Sequence, residues 1–208
     1  MKIFLDTGRL EEVQQYKPFI DGVTTNPSLV SSFDVAKVIC NVITGPVSVE
    51  VTELLWQKMV EQARYIRKMG ENVVIKLPLT VEGLIACREL FNEGTKINVT
   101  LVFSANQGLL AMKAGATYVS PFIGRLDDIG MDGMQLVRDL VQIKKNYGFK
   151  TQILAASIRT PEQVKQCALA GADVVTVPAK ILEQMFNHPK TDEGLKKFME
   201  DWKNAQKN

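Results

Sequence analysis

The chain has 208 residues, is 46% hydrophobic, and sets 25 basic against 23 acidic residues for a net charge of +2. That length suits one globular domain of a large single-domain architecture. The charge balance, with no basic tract, excludes the electrostatic profile of a nucleic-acid or membrane-surface binder. No apolar run approaches the roughly 18 residues of a membrane span. Met1-Lys2-Ile3-Phe4-Leu5-Asp6 enters a strand at once, with no signal-peptide pattern.

Eight β-rich runs follow one another at about 2–5, 22–24, 47–51, 73–77, 97–101, 117–121, 151–156 and 174–177. Seven of the eight intervals hold a clear helical pattern, the longest early one at about 53–69. The recurring grammar is a helix, a glycine, then a short apolar run. It appears as Met69-Gly70 before Val73-Val74-Ile75 and as Glu93-Gly94 before Ile97-Asn98-Val99. It returns as Ala114-Gly115 before Thr117-Tyr118-Val119 and as Ala170-Gly171 before Val174-Val175. Each glycine is expected to supply a left-handed helix cap. Thr160-Pro161-Glu162-Gln163 is a capping box with proline at the first helical position. Continuous apolar strands point to a parallel sheet covered by helices. Eight such units predict an α/β fold, a (β/α)8 TIM barrel spanning residues 1–208 as one domain. An open doubly wound sheet is the competing arrangement, but no glycine-rich dinucleotide fingerprint follows the first strand.

An extra helix is expected at about 193–205, where Leu195, Phe198, Met199 and Trp202 form one apolar stripe. It packs either on its own barrel or across a subunit interface. Cys40, Cys87 and Cys167 lie far apart among apolar neighbours, without CxxC spacing. They are expected to be buried and reduced, as in a cytoplasmic protein. His188 is the single histidine and falls in Asn187-His188-Pro189, read as a surface loop without catalytic role. Neither a zinc site of recognisable spacing nor a serine–histidine triad can be assembled.

Lys76 ends the otherwise apolar run Val73-Val74-Ile75-Lys76-Leu77-Pro78. Burying an ammonium ion is unfavourable, and a desolvated amine attacks carbonyls to form a Schiff base. A lysine that snorkels from a strand end to water is the plain alternative. Other strand ends decide between them, because a barrel places its active site there. They carry Asp6, Thr24-Thr25-Asn26, Glu50, Asn98, Thr100, Ser120, Ser157 and Arg159, with Arg125 just past the sixth strand. Packing alone would put apolar residues at many of these positions. In imine chemistry, Glu50 and Thr100 can hold the water that must be lost. Asp6 can take the hydroxyl proton of a departing fragment. Asn26, Asn98 and Ser120 offer neutral hydrogen bonds to a carbanion. Arg125 and Arg159 suit a phosphate, with Ser157 adding a hydroxyl.

Plainer roles exist for several of these. Asp6 could cap the helix starting near Gly8, and Glu50 could merely pair with Lys76. Asn26 before Pro27 is an ordinary turn signal. Arg125 could pair with Asp127 or Asp128. Phe33, Trp56 and Phe91 read as core or interface.

The residues taken in order resemble the small transaldolases and the related fructose-6-phosphate aldolases. The anchors are Phe4-Leu5-Asp6-Thr7, Gly22-Val23-Thr24-Thr25-Asn26-Pro27-Ser28, Val74-Ile75-Lys76-Leu77-Pro78 and Asn98-Val99-Thr100-Leu101. Tyr118-Val119-Ser120-Pro121-Phe122-Ile123-Gly124-Arg125-Leu126-Asp127-Asp128 and Ala155-Ala156-Ser157-Ile158-Arg159 complete them. The resemblance implies a class I Schiff-base transferase of the pentose phosphate pathway, with the lysine on strand four. It implies phosphorylated sugar substrates, no cofactor and no metal, and the roles given above for the matching residues. It further implies a homodecamer in which the C-terminal helix reaches a neighbour. Glu50 and Phe122 follow the transaldolase branch, where the aldolase branch carries glutamine and tyrosine. A tyrosine hydroxyl there could protonate the carbanion and release dihydroxyacetone; phenylalanine cannot. A non-catalytic phosphosugar-binding barrel is the reading from a different class, and intact Asp6, Glu50 and Lys76 argue against it.

Overall fold

A computed structural model describes residues 1–206. They form eight strands: β1 (Lys2–Asp6), β2 (Gly22–Thr24), β3 (Val47–Glu50), β4 (Val73–Pro78), β5 (Ile97–Val102), β6 (Tyr118–Pro121), β7 (Gln152–Ala155) and β8 (Val174–Val177). The strands pair in parallel in chain order, and β8 closes on β1. The expected eight-stranded barrel is therefore the observed one, and the open sheet is not. A helix follows every strand: α1 (Leu10–Tyr16), α2 (Phe33–Val42), α3 (Trp56–Ile66), α4 (Val81–Asn92), α5 (Ala105–Ala114), α6 (Ile123–Asp127), α7 (Gly133–Tyr147), α8 (Pro161–Ala170), α9 (Ala179–Phe186) and α10 (Pro189–Ala205).

Strand side chains alternate between two cores, because successive residues face opposite sides of a sheet. Odd-numbered residues such as Val49, Ile75, Val99, Val119, Ile153 and Val175 join the large cluster under the helices. Even-numbered Phe4, Val74, Tyr118, Leu154 and Val174 form a separate cluster inside the barrel. Phe4 meets Tyr118 there edge to face, with ring centroids 6.0 Å apart. Gly22 makes room for it, since a Cβ at that position would lie 2.7 Å from the Phe4 ring. This plug fills the lower barrel, so polar even-numbered residues above it line a floor rather than a pore.

The capping box at Thr160 is present, with Thr160 Oγ1 accepting from Gln163 N–H. Gly94, Gly115 and Gly171 adopt the expected positive φ. Gly70 does not: its φ of 178° is extended, following a 3-10 turn at Arg67–Met69. Its glycine answers a different need, because a Cβ would come within 3.2 Å of Cys40 Cβ and 2.8 Å of the Asn72 side-chain oxygen. All three cysteines are buried and free. Among the described residues, no helix is long and apolar enough to cross a membrane.

The C-terminal helix begins earlier than expected. His188 is its N-cap, with Nδ1 accepting from Lys190 N–H at 3.1 Å, and Pro189 opens the first turn. The segment read as a loop is thus the helix start. The apolar stripe does not pack on its own barrel. Leu195, Phe198, Met199 and Trp202 are 57–69% exposed.

Candidate active site

Strand register brings the predicted side chains together. Glu50 pairs with Lys76 across β3 and β4, and Lys76 pairs with Asn98 across β4 and β5. An inner chamber of about 130 Å³ is lined by Asp6, Asn26, Lys76, Asn98, Thr100, Ser120, Phe122, Arg125 and Ser157. A vestibule of about 380 Å³ shares Asp6, Asn26, Lys76, Thr100, Phe122 and Arg125 and adds Glu50.

Lys76 is 5% exposed, so it does not snorkel. Its Nζ lies 3.0 Å from Glu50 Oε2 and donates to the Thr25 carbonyl at 3.2 Å. That carbonyl is held firmly, because Thr25 donates both its N–H and its hydroxyl to the Ser48 carbonyl. Removing one partner of an ion pair this buried would leave the other charge without compensation. Glu50 thus pairs with Lys76 and also lines the vestibule.

Asn98 is fully buried, and its amide is oriented from both sides. Its Nδ2 donates to Ser48 Oγ at 3.2 Å, and its Oδ1 accepts from the Ser120 hydroxyl at 2.7 Å. Thr100 is also fully buried, and its hydroxyl has no hydrogen-bonding partner among the described residues. An unpaired buried hydroxyl costs about 1–3 kcal/mol. Next to it, Leu101 holds a φ of 60°, and the register between β5 and β6 shifts between Val99 and Val102. Left-handed backbone at leucine is unfavourable and concentrates at functional sites.

Asp6 does not cap a helix. Thr7 takes the local bonds, donating to Glu12 at 2.5 Å and accepting from Arg9 N–H at 3.0 Å. Asp6 instead accepts from the Thr24 hydroxyl at 2.7 Å, facing the chamber. Burial pushes its carboxyl above the usual value of 3.8, opposed by the Thr24 hydrogen bond and the Lys76 charge. Asn26 serves the turn and the chamber together, with Oδ1 accepting from Ser28 N–H at 2.9 Å.

Phe122 packs edge to face on Phe103 at 5.7 Å, and the Arg125 guanidinium sits 5.0 Å from the Phe122 ring centroid. Arg125 makes no ion pair with Asp127 or Asp128. Asp127 accepts from Gly133 N–H and the Gln163 amide, while Asp128 pairs with Arg159 at 2.8 Å. Arg125 is therefore the arginine facing the chamber. Arg159 lies at the rim, exposed, outside the lining residues of both cavities. Ser157 lines the chamber with a φ of 59°.

The family model for transaldolase/fructose-6-phosphate aldolase matches residues 31–208. The chain belongs to that family. It is 50% identical to a probable transaldolase of Bdellovibrio bacteriovorus, over 100% of both chains. It is 53% identical to a probable transaldolase of Anaeromyxobacter dehalogenans, covering 100% of this chain and 99% of the relative. A probable transaldolase of Lactiplantibacillus plantarum is also 53% identical, over 99% of this chain and 98% of its own.

Sequence reasoning missed two supports of the site, Ser48 beneath Asn98 and Thr176 beside Thr24, and it set Thr24 among the strand-end polar residues without seeing it as the partner of Asp6. Each is an even-numbered residue on its strand, pointing inward. Extending the even-numbered pattern from Lys76 across all eight strands would have found them.

Proposed function

We propose that this family member is a transaldolase, moving a dihydroxyacetone unit from sedoheptulose 7-phosphate to glyceraldehyde 3-phosphate through a Schiff base on Lys76. The observation that carries the reading is Lys76 itself, buried at the chamber floor 3.0 Å from Glu50. Lys76 gives up a proton to Glu50 and attacks the ketose C2 carbonyl. Glu50 and Thr100 hold the water that leaves as the imine forms. Asp6 takes the C4 hydroxyl proton while the C3–C4 bond breaks, and the electron pair is delocalised into the imine. Asn26, Asn98 and Ser120 hold the resulting three-carbon unit by hydrogen bonds. The aldose leaves, a second aldose docks, and the steps reverse. Arg125 and Ser157 bind the phosphate, joined by Arg159 when it turns from Asp128. None of these steps calls on a cofactor.

Phe122 favours transfer over release. It presents no hydroxyl to the imine, so the carbanion waits for an aldehyde. The second reading is an aldolase that frees dihydroxyacetone, and Glu50 with Phe122 stands against it. Residues 1–208 are taken as one barrel domain. Three buried thiols suit a reducing compartment, so the proposed setting is the cytoplasm and its pentose phosphate pathway. The exposed stripe on α10 suits a neighbouring subunit, and the proposed assembly is a homodecamer. A monomeric mass by light scattering would remove it.

The deciding assay supplies fructose 6-phosphate with and without erythrose 4-phosphate. Acceptor-dependent sedoheptulose 7-phosphate with little dihydroxyacetone is the expected outcome. Dihydroxyacetone release without acceptor would mean an aldolase. Borohydride should trap an adduct that Lys76→Ala abolishes; full turnover by that variant would sink the mechanism.

A further inference from the structure

We infer that Thr176 and Thr24 are positioning residues for Asp6, acting as a directed pair of hydroxyls that fixes one carboxylate oxygen and leaves the other free for substrate. Thr24 Oγ1 donates to Asp6 Oδ1 at 2.7 Å and lies 2.6 Å from Thr176 Oγ1. A threonine hydroxyl has one proton. Thr24 has committed its proton to the carboxylate, so the contact with Thr176 uses the proton of Thr176. The direction is thereby set: Thr176 to Thr24 to Asp6.

Both threonines are buried, Thr24 at 2% and Thr176 at 4% exposure, so the two bonds are shielded from bulk water. Bonds in such a chain polarise one another, and each is stronger for the charge at its end. The barrel builds this from three strands. Asp6 is the register partner of Thr24 across β1 and β2, while Thr176 reaches in from β8 on the other side of β1. The Asp6 side chain is thus held by Thr24 from β2, and Thr24 in turn by Thr176 from β8. With Oδ1 so occupied, Oδ2 is the oxygen available to take a hydroxyl proton in the chamber. The pair also favours the ionised carboxylate over the neutral acid, because a donated hydrogen bond is stronger to the anion. Without it, burial would keep Asp6 protonated to higher pH.

The functional half of this inference rests on the transaldolase reading; the electrostatic half does not. The experiment compares wild type, Thr24→Val, Thr24→Ser and Thr176→Val. Carboxyl-carbon NMR, with Asp6 assigned through Asp6→Asn, follows its titration directly. The pH dependence of kcat/KM for acceptor-dependent transfer follows its use. The Asp6 midpoint and the acidic limb should both move to higher pH, by about one unit in Thr24→Val and less in Thr176→Val. Loss of a hydrogen bond to a charged group should lower kcat by about 10–100-fold in Thr24→Val. Thr24→Ser, which keeps the hydroxyl, should restore both profiles. An unmoved Asp6 midpoint in Thr24→Val overturns the inference, whatever the enzyme does. A moved midpoint with an unmoved acidic limb overturns the catalytic use of the pair. Failure of wild-type protein to form a borohydride adduct would instead strike the Schiff-base reading, and the NMR titration would still decide the role of the pair.

Discussion

Thr100→Val should make the protein more stable and nearly inactive. The Thr100 hydroxyl is buried without a partner among the described residues, in a residue that is 0% exposed. No protein group compensates this hydroxyl for its burial, and an unmet hydroxyl costs about 1–3 kcal/mol. Valine has the same shape and replaces the hydroxyl with a methyl that needs no partner. A gain of about 1–2 kcal/mol is expected, which in a chain of this size raises Tm by about 2–8 °C. In the proposed mechanism Thr100 positions the water of imine formation and hydrolysis, so its loss should lower kcat by about 100-fold or more. Thermal unfolding by circular dichroism, with urea titration at fixed temperature, measures the first effect, and the coupled transfer assay measures the second. Thr100→Ser is the control, keeping the hydroxyl and most of the activity while losing about 1 kcal/mol of methyl burial. A valine variant less stable than wild type would refute the reasoning, because it would mean that the hydroxyl is satisfied in the free protein. A stabilised variant with full turnover would remove Thr100 from the chemistry.

Glu50→Ala strands Lys76 without its 3.0 Å partner, and a drop of about 3 kcal/mol in unfolding free energy at neutral pH is expected by urea titration. Glu50→Gln, which keeps a hydrogen bond, should lose less. Burial raises the Asp6 carboxyl above 3.8, so the folded state holds this proton more tightly than the unfolded state. The contribution of Asp6 to stability therefore falls as pH rises from 3.8 through its folded-state value. Asp6→Asn should accordingly gain Tm over wild type as pH rises above 3.8, and a constant or shrinking difference from there upward would contradict the cause assigned here. In Gly124→Ala, the added Cβ would sit 2.4 Å from the Ser157 carbonyl and 2.8 Å from the Arg159 side chain. KM should rise about tenfold or more for phosphorylated sugars and change little for free dihydroxyacetone, as read from initial rates.

The barrel was legible because its grammar is local. Helix, glycine and apolar strand recur within short windows, and three of the four glycines cited have the left-handed φ that the grammar requires. Gly70 broke the pattern because its constraints are the Asn72 side chain and Cys40, the latter thirty residues away, and no helix-cap reading reveals either. The chamber residues stood out where their chemistry was unusual for a strand, as with Lys76, Glu50 and Asn98. Ser48 and Thr176 did not, and Thr24 stood among the strand-end residues without a role, since hydroxyl residues are common in strands and their importance lies in what they touch. The two arginines differ for a similar reason. Both follow strand ends, but only three-dimensional packing shows Arg125 over Phe122 and Arg159 on Asp128. Left-handed backbone at Leu101 and Ser157 leaves no mark in the sequence because neither is glycine. His188-Pro189 misled because the pair signals both a loop and a helix start, and only the bond from Lys190 N–H distinguishes them.

The alternation of strand side chains between two cores has an evolutionary consequence. Most odd-numbered strand residues pack under the helices, Leu101 at the vestibule excepted, so drift there can adjust thermal tolerance and leave the chamber in place. Even-numbered residues near the chamber can exchange one substrate preference for another, resting on a shell that need not change with them. Stability and specificity can thus be selected almost independently along the same eight short segments. A lineage built this way can explore new substrates while each ancestor along the path still folds.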